Sequence, residues 1–257
     1  MGALGLLQTN WTGFESSEDN LKSRFNHFSA IILAAEYAWN SGKIDLEHLP
    51  YNADEEFRRQ WDAKPVDRTP RKGFTLDLSS ACNVGLADNE RKTGWLGLGA
   101  EHDLSSVPTG ESQLKGDLFK IGPSAIRLAS ALDSDRAYPE RVELAVGLKA
   151  RSLIFLQTCA WTDRARRKIG AYKINYADGS SETVDLAYGF NVVAWNDPRS
   201  LGGADKVWQG RTKDGEKASL VRFAWDNPHP DKEIVSIEFS STRTEAGPVL
   251  AAVSAME

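Results

Sequence analysis

Cysteine, histidine and methionine are scarce in this chain of 257 residues, which contains two cysteines, four histidines and two methionines. Cys82 and Cys159 are too few for a disulfide framework, and no spacing of cysteine and histidine resembles a zinc motif. The glycine-rich motifs of nucleotide-binding proteins and the nucleophile elbow of serine hydrolases are also missing. The sequence therefore gives no basis for a zinc motif, a nucleotide site or serine-hydrolase chemistry.

Long apolar runs are missing as well. No run approaches the roughly 20 apolar residues that are needed to span a bilayer, so we expect no membrane segment. Residues 1–7 lack a basic region and form too short an apolar stretch for a secretory signal. Secretion stays open if the chain is a piece of a longer protein.

Basic residues are fewer than acidic ones, which gives a formal net charge of −5 and a pI near 5.5. This balance argues against a general electrostatic interaction with nucleic acid or an anionic membrane. Residues 164–168 form a local basic cluster, which we interpret as a solvated loop in preference to an anion site.

Tryptophan is abundant by comparison: the chain has eight. Tryptophan fills cores, and it also offers an apolar face against which sugar rings stack. Composition leaves both uses open.

The first 61 residues favour helices. Apolar side chains recur at steps of four and three over residues 18–39, which predicts one helix with a single apolar stripe: Leu21, Phe25, Phe28, Ile32, Ala35 and Trp39. A short strand before it and a second helix over residues 53–61 complete this part. Residues 62–72 are charged and contain two prolines, so we place a linker there.

From residue 73 onward short apolar runs alternate with turns, and no helix is expected. The pattern predicts a β-sandwich over residues 73–257 with strands near 74–78, 125–131, 141–146, 152–158, 171–176, 182–186, 191–195, 207–209, 219–225, 234–239 and 248–253. Tyr172, Ile174 and Tyr176 alternate with polar residues, as in a half-buried strand. Asp178-Gly179 predicts a hairpin with a two-residue type I′ turn.

Residues 79–121 differ, because they are rich in glycine, aspartate and asparagine. We expect a long irregular crossing that is either functional or held by side-chain hydrogen bonds. Asp77 and Asp103 are expected to bind loop backbone rather than to act in catalysis.

An ordered series of residues within 73–253 resembles the galactose-binding-like jelly-roll modules that are appended to bacterial glycoside hydrolases. The series includes Asp77, Asn83, Asp88, Trp95, Asp103, Pro108, Gly110, residues 149–161, residues 170–179 and residues 225–230. Gln157 departs from it, because such modules often carry histidine there. The resemblance implies a jelly-roll β-sandwich and a non-catalytic, carbohydrate-associated role in polysaccharide degradation. Together with the helices predicted before residue 62, the expected fold class is mainly β, a jelly-roll β-sandwich with an N-terminal helical segment.

Residues 1–61 resemble the last strand and helix of a hexosaminidase-like (β/α)₈ barrel. Trp11 would then lie at the carboxyl end of the eighth strand, where barrel active sites are found. The resemblance implies that the catalytic acids lie outside this chain, which would be extracytoplasmic if it belongs to a secreted glycosidase. No pair of carboxylates within the chain is recognisable as a glycosidase pair, so we expect no catalytic residue here.

Strand directions suggest a sugar-binding rim. If the strand at 152–158 runs toward one end of the sandwich, the loop at 161–168 lies at that end and the strand at 182–186 brings Tyr188 back beside Trp161. The expected site consists of an aromatic pair with basic donors, which would suit a sugar and in particular an acidic one: Trp161, Tyr188, Arg164, Arg166 and Arg167. The alternative is that Trp161 and Tyr188 cover the end of the core.

Trp195 and Trp208 flank the loop at 196–206 and form a second candidate platform, whereas Trp95 and Trp225 are expected to pack in the core. The expected partner is an oligo- or polysaccharide. One alternative is that Trp11 and Glu15 complete a glycosidase active site with a catalytic domain or chain. Another is an interaction module that self-associates through the N-terminal helix. No cofactor is expected, although loop oxygens could bind structural calcium.

Overall fold

The structure is a computed structural model that describes residues 73–133 and 137–257. These residues belong to one compact unit, Arg71–Glu257. They contain thirteen strands: β1 (Gly73–Thr75), β2 (Val84–Gly85), β3 (Gly110–Leu114), β4 (Asp117–Ile121), β5 (Ser124–Arg127), β6 (Arg141–Lys149), β7 (Ser152–Cys159), β8 (Lys168–Tyr176), β9 (Ser181–Ala187), β10 (Asp205–Arg211), β11 (Lys217–Asp226), β12 (Glu233–Ser241) and β13 (Pro248–Met256).

The described residues contain no helix, so the expected fold class is corrected. The fold of the described residues is mainly β, as predicted, and no helical segment belongs to this part of the chain. Several predicted features lie outside the described residues: the short strand before residue 18, the helices at 18–39 and 53–61, and the linker at 62–72. No helix within the described ranges is long and apolar enough to cross a membrane.

The described strands form two large sheets and a separate hairpin. One sheet has the order β10-β11-β7-β13-β5-β2, with β1 also on β13; the other has the order β6-β12-β8-β9; β3 pairs with β4. The pairing is nested along the chain, since β5 pairs with β13, β6 with β12, β7 with β11 and β8 with β9. Two sheets wound in this way are compatible with a β-sandwich.

An inner core lies where the inward faces of the two sheets pack together. Phe155 of β7 stacks on Tyr172 of β8 with ring centroids 4.0 Å apart, and Tyr172 stacks on Phe239 of β12 at 5.0 Å. Ile174 and Tyr176 are buried in the same core, so the predicted alternation along β8 is confirmed.

An outer core covers the other face of the larger sheet. Ile154 and Leu156, which alternate with Phe155 on β7, pack there against Trp95, Leu104 and Phe119. Burial on both faces explains why β7 and β13 are buried along their whole lengths, without the half-exposed alternation of a surface strand.

Buried carboxylates hold the segment that forms this outer layer. Asp88 accepts hydrogen bonds from the backbone N–H groups of Gly94 (2.7 Å) and Gly99 (2.8 Å), and Asp103 accepts one from the N–H of Asp88 (2.8 Å). Asp77 accepts one from the N–H of Ser79 (2.9 Å). The expected backbone-binding role of Asp77 and Asp103 therefore agrees with the geometry, although the segment also contains β2 and the β3–β4 hairpin, which were not predicted.

The β8–β9 hairpin forms where it was predicted, but its turn is of another type. The N–H of Gly179 donates to the carbonyl of Tyr176 (3.0 Å), and the N–H of Tyr176 donates to the carbonyl of Ser180 (2.9 Å). Gly179 has a positive φ of 83°, whereas Asp178 is not among the positive-φ residues. A type I′ turn needs positive φ at both central residues, so the connection is a longer loop that ends in a left-handed glycine.

Residues 191–195 were expected to form a strand and instead make isolated bridges. Ala194 bridges Cys159, and Val192 bridges Tyr188. The segment is buried throughout and leads from the inner core to the surface loop that begins at Asn196.

Candidate functional site

Two of the predicted sugar-binding aromatics are buried. Tyr188 is part of the inner core and fully excluded from solvent, and its hydroxyl donates to Asp197 Oδ2 at 2.6 Å. Burial, followed by this hydrogen bond, raises the pKa of Tyr188. Trp195 is 2% exposed and packs edge-to-face on Trp95 with centroids 6.3 Å apart. Neither ring presents a face to solvent.

The loop at 161–168 does lie beside Tyr188, as the strand directions predicted. The N–H of Arg166 donates to the carbonyl of Tyr188 (2.8 Å), and the N–H of Tyr188 donates to the carbonyl of Arg167 (2.9 Å). The rings nevertheless separate, because Tyr188 packs in the inner core and half-buried Trp161 packs against the outer core. Trp161 and Tyr188 therefore share no platform.

The arginines of this loop are exposed. The guanidinium of Arg166 lies 4.5 Å from the ring centroid of Phe190, and that of Arg167 lies 3.5 Å from Asp163 Oδ1. Arg164 donates its backbone N–H to Asp163 (2.7 Å). Local contacts thus hold two of these side chains, and sugar binding by the loop stays a prediction.

A polar groove of about 330 Å³ lies at the second predicted location, beside the loop at 196–206. Its lining comes from that loop and from β10 and β11: Asn196, Asp197, Pro198, Lys206, Gln209, Gly210, Arg211, Lys217, Ala218 and Ser219. We call it the β10 groove.

Strand register places the polar side chains of the β10 groove together. Gln209 pairs with Ser219 and Arg211 pairs with Lys217 across the two strands, and residues two apart share a face. Trp208 has the opposite orientation and packs, half-buried, against the outer core. The β10 groove is consequently lined by amide, hydroxyl and cationic groups rather than by the tryptophan that was predicted there.

Asp197 fixes the wall of the β10 groove. Besides the Tyr188 hydroxyl, it accepts hydrogen bonds from the N–H of Arg199 (2.9 Å) and from its Nε (2.8 Å). Burial opposes ionisation of Asp197, but the hydrogen bonds from Tyr188 and Arg199 outweigh it and lower the pKa of the carboxyl. The loop is therefore tied to the core by an ionised aspartate.

The cationic side chains of the β10 groove differ in their environment. Lys206 donates to the backbone carbonyl of Asp197, and its burial lowers the pKa of its amine. Arg211 donates to the carbonyl of Gly215 (2.5 Å), and Lys217 is exposed. Because Asp197 is already engaged by Tyr188 and Arg199, the field in the β10 groove favours an anionic group.

Sequence reasoning located the loop but missed the residues that line the β10 groove. Gln209, Arg211, Lys217 and Ser219 are polar residues at alternate positions of two neighbouring strands, and that period-2 pattern was available in the sequence. Their convergence depends on the β10–β11 register, which the sequence does not specify.

A second cavity, of about 450 Å³, lies between the loop at 76–82, β13 and the residues around β4 and β5. Its lining includes Leu76, Cys82, Ile121 and Pro123. Burial raises the pKa of the Cys82 thiol, which donates to the carbonyl of Ser124 at 3.4 Å. This cavity is more apolar and has fewer converging polar groups than the β10 groove. We take the β10 groove as the candidate site because its amide and cationic groups can bind a polar ligand.

The chain was compared with protein-family models, with curated proteins and with solved structures, and nothing in any of the three matches it.

Proposed function

We propose that this chain is a non-catalytic carbohydrate-binding module and that an acid-bearing oligo- or polysaccharide occupies the β10 groove. The observation that carries the proposal is the convergence of hydrogen-bonding side chains with cationic ones in one open groove. The exposed amide of Gln209 suits sugar hydroxyls, because both groups donate and accept. Lys206, Arg211 and Lys217 suit a carboxylate or sulfate on the sugar.

The proposal differs from the predicted site in one physical respect. Stacking on an exposed tryptophan does not contribute, because Trp208 faces the outer core and Trp195 is buried. Hydrogen bonds and ionic contacts supply the affinity, so binding should weaken with added salt. Asp197 and Lys217 each adjoin a surface loop, which leaves the β10 groove accessible to a polymer.

A glycan array followed by affinity electrophoresis tests the proposal. We expect binding to polyuronates or sulfated glycans and little binding to neutral glucans. Lys217→Gln and Gln209→Ala should each weaken binding by about tenfold, the effect of losing one hydrogen bond to a charged or polar group. Lys213→Gln is the matched control, because Lys213 is exposed on the adjoining turn but does not line the groove.

Two results would contradict the proposal. An array without any bound glycan would remove carbohydrate binding altogether. Equal weakening by Lys217→Gln and Lys213→Gln would indicate general charge attraction rather than recognition in the β10 groove.

The glycosidase alternative depends on Trp11 and Glu15, which lie outside the described residues. It stays a prediction, and turnover of aryl-glycosides by the chain would support it.

A further inference from the structure

A histidine and two acidic residues from distant parts of the chain meet at the surface beside the β10–β11 turn. His102 Nδ1 lies 3.1 Å from Asp214 Oδ2 and 3.9 Å from Glu216 Oε2, and the three ligand atoms all lie within 4.8 Å of one another. His102 belongs to the outer layer, whereas Asp214 and Glu216 belong to the turn between β10 and β11. We call these residues the His102 cluster.

Neighbouring contacts orient both carboxylates of the His102 cluster. The hydroxyl of Thr212 donates to Asp214 Oδ1, and Asn196 Nδ2 donates to Glu216 Oε1 at 3.0 Å. The other oxygen of each carboxylate, Oδ2 of Asp214 and Oε2 of Glu216, is the one that faces the imidazole. Outer hydrogen bonds of this kind hold the ligands of metal sites in place.

The backbone on both sides of the His102 cluster is also held. Asp103, next to His102, is 1% exposed and binds loop backbone, and Ser106 Oγ donates to the carbonyl of Arg211 at 3.0 Å. The N–H of Thr212 donates to the carbonyl of Glu216 (2.9 Å), which closes the turn. The donor atoms thus approach one another from two segments that are already in position.

From these contacts we infer that His102, Asp214 and Glu216 form a binding site for a divalent transition metal, with zinc as the best fit. Zinc binds imidazole nitrogen and carboxylate oxygen at about 2.0–2.2 Å, which sets neighbouring ligands of a tetrahedral site about 3.4 Å apart. The separations of 3.1 and 3.9 Å bracket that value. Calcium prefers six to eight oxygen ligands and is a poorer match for a nitrogen donor.

The metal would join the outer layer to the turn that follows the β10 groove. Asn196 links the two features, because it lines the groove and donates to Glu216. Three protein ligands leave the fourth tetrahedral position to solvent. The inference does not depend on carbohydrate binding, since it rests on the donor atoms alone.

Zinc titration of the EDTA-treated full chain tests the inference. We expect uptake of one zinc per chain by calorimetry, a rise in melting temperature of roughly 5 °C at saturation, and no rise with calcium. Cobalt in place of zinc should give the visible absorption of a four-coordinate site.

Variants assign the site. His102→Gln and Asp214→Asn should each weaken zinc binding by about tenfold or more, the scale on which metal sites respond to lost interactions. His229→Gln is the matched control, since His229 is equally exposed (41% against 42% for His102) and its Nε2 lies 3.3 Å from a carboxylate oxygen of Glu182, outside the His102 cluster. Circular dichroism checks that each variant is folded.

The inference is overturned if the chain takes up no zinc at 100 µM, or if His102→Gln binds zinc as tightly as the unaltered chain does. A rise in melting temperature with calcium that equals the rise with zinc would also overturn it.

Discussion

Two tyrosines of the inner core make similar hydrogen bonds to different kinds of acceptor. Tyr188 and Tyr172 are both fully buried tyrosines with a hydroxyl that donates at 2.6 Å, Tyr188 to the Asp197 carboxylate and Tyr172 to the amide oxygen of Gln157. Their acceptors differ in charge. A hydrogen bond to a charged acceptor contributes more to stability than one to a neutral acceptor, and only the charged one depends on pH.

Tyr188→Phe should lower the free energy of unfolding by about 1.5–3 kcal/mol at pH 7. Because the folded pKa of Asp197 is lowered, its contribution is present above the unfolded value, about pH 4, and is lost as the pH falls through the folded pKa. Removal of the Tyr188 hydroxyl brings the folded pKa of Asp197 closer to its unfolded pKa, so the variant should lose less stability on acidification than the unaltered chain does. Urea unfolding at pH 7, 4 and 3 measures this.

Tyr172→Phe serves as the comparison for that experiment. It removes a hydrogen bond of the same length to a neutral amide, so its cost should stay constant with pH. Identical pH slopes for the two variants would contradict an ionised Asp197 beneath Tyr188.

At the scale of an element, the outer layer depends on backbone that passes very close to other backbone. A Cβ atom on Gly94 would lie 2.1 Å from the carbonyl oxygen of Ala87 and 2.6 Å from the Cα of Asp88. Gly110, at the start of β3, has open space around it but a positive φ of 91°. Both positions therefore favour glycine, for different physical reasons.

Gly94→Ala should destabilise the outer layer by more than about 3 kcal/mol, since backbone must move to make room. Gly110→Ala should cost only about 1–2 kcal/mol, the strain of a left-handed alanine. Hydrogen exchange of residues 86–107 and the fluorescence of buried Trp95 report the difference. Equal effects of the two substitutions would show that Gly94 is not sterically confined.

For the whole molecule, the nested pairing makes the last strand central. β13 pairs with β7 and β5 and also with β1, and every residue from Pro248 to Met256 is buried. Ion pairs add further long-range links, such as Arg222 of β11 with Asp117 of β4. Pairs that are far apart in sequence form late and together, so folding of this unit should be slow and cooperative.

A fragment of residues 71–257 should fold on its own, because Arg71–Glu257 is a compact unit with its own cores. A fragment of residues 71–247, which lacks β13, should not fold, since β1, β5 and β7 all lose a partner in the middle of the sheet. Thermal unfolding by circular dichroism and dispersed amide signals distinguish the two. A cooperative transition in the shorter fragment would contradict a central role of β13.

Features that depend on residues close together in the sequence were predicted better than features that depend on distant residues. The strands β6–β9 and β11–β13 were located to within a few residues, because apolar alternation and turn residues are local signals. β3 was missed because its five residues are mostly polar and exposed. β4 was missed although its burial alternates, because it is only five residues long and lies in a segment rich in glycine and aspartate. The helical part of the expected fold class is absent from the described residues.

The candidate site was predicted less well. The loop at 196–206 was identified through Trp195 and Trp208, but both rings pack inward and the groove beside them is polar. The sequence pattern of an amphipathic strand does not predict which of its faces another layer will bury when both faces of the sheet are in contact with other layers, as they are here.

The sequence by itself determined that the described part of the chain is mainly β, and it predicted that the loop at 161–168 lies next to Tyr188. Only the tertiary structure decided that Tyr188 and Trp195 are core residues, that Gln209 and Lys217 share a groove, and that His102 meets Asp214. The physical reason is distance along the chain. Periodicity and turn chemistry act over a few residues, whereas register and layer packing join residues that are tens to more than a hundred positions apart.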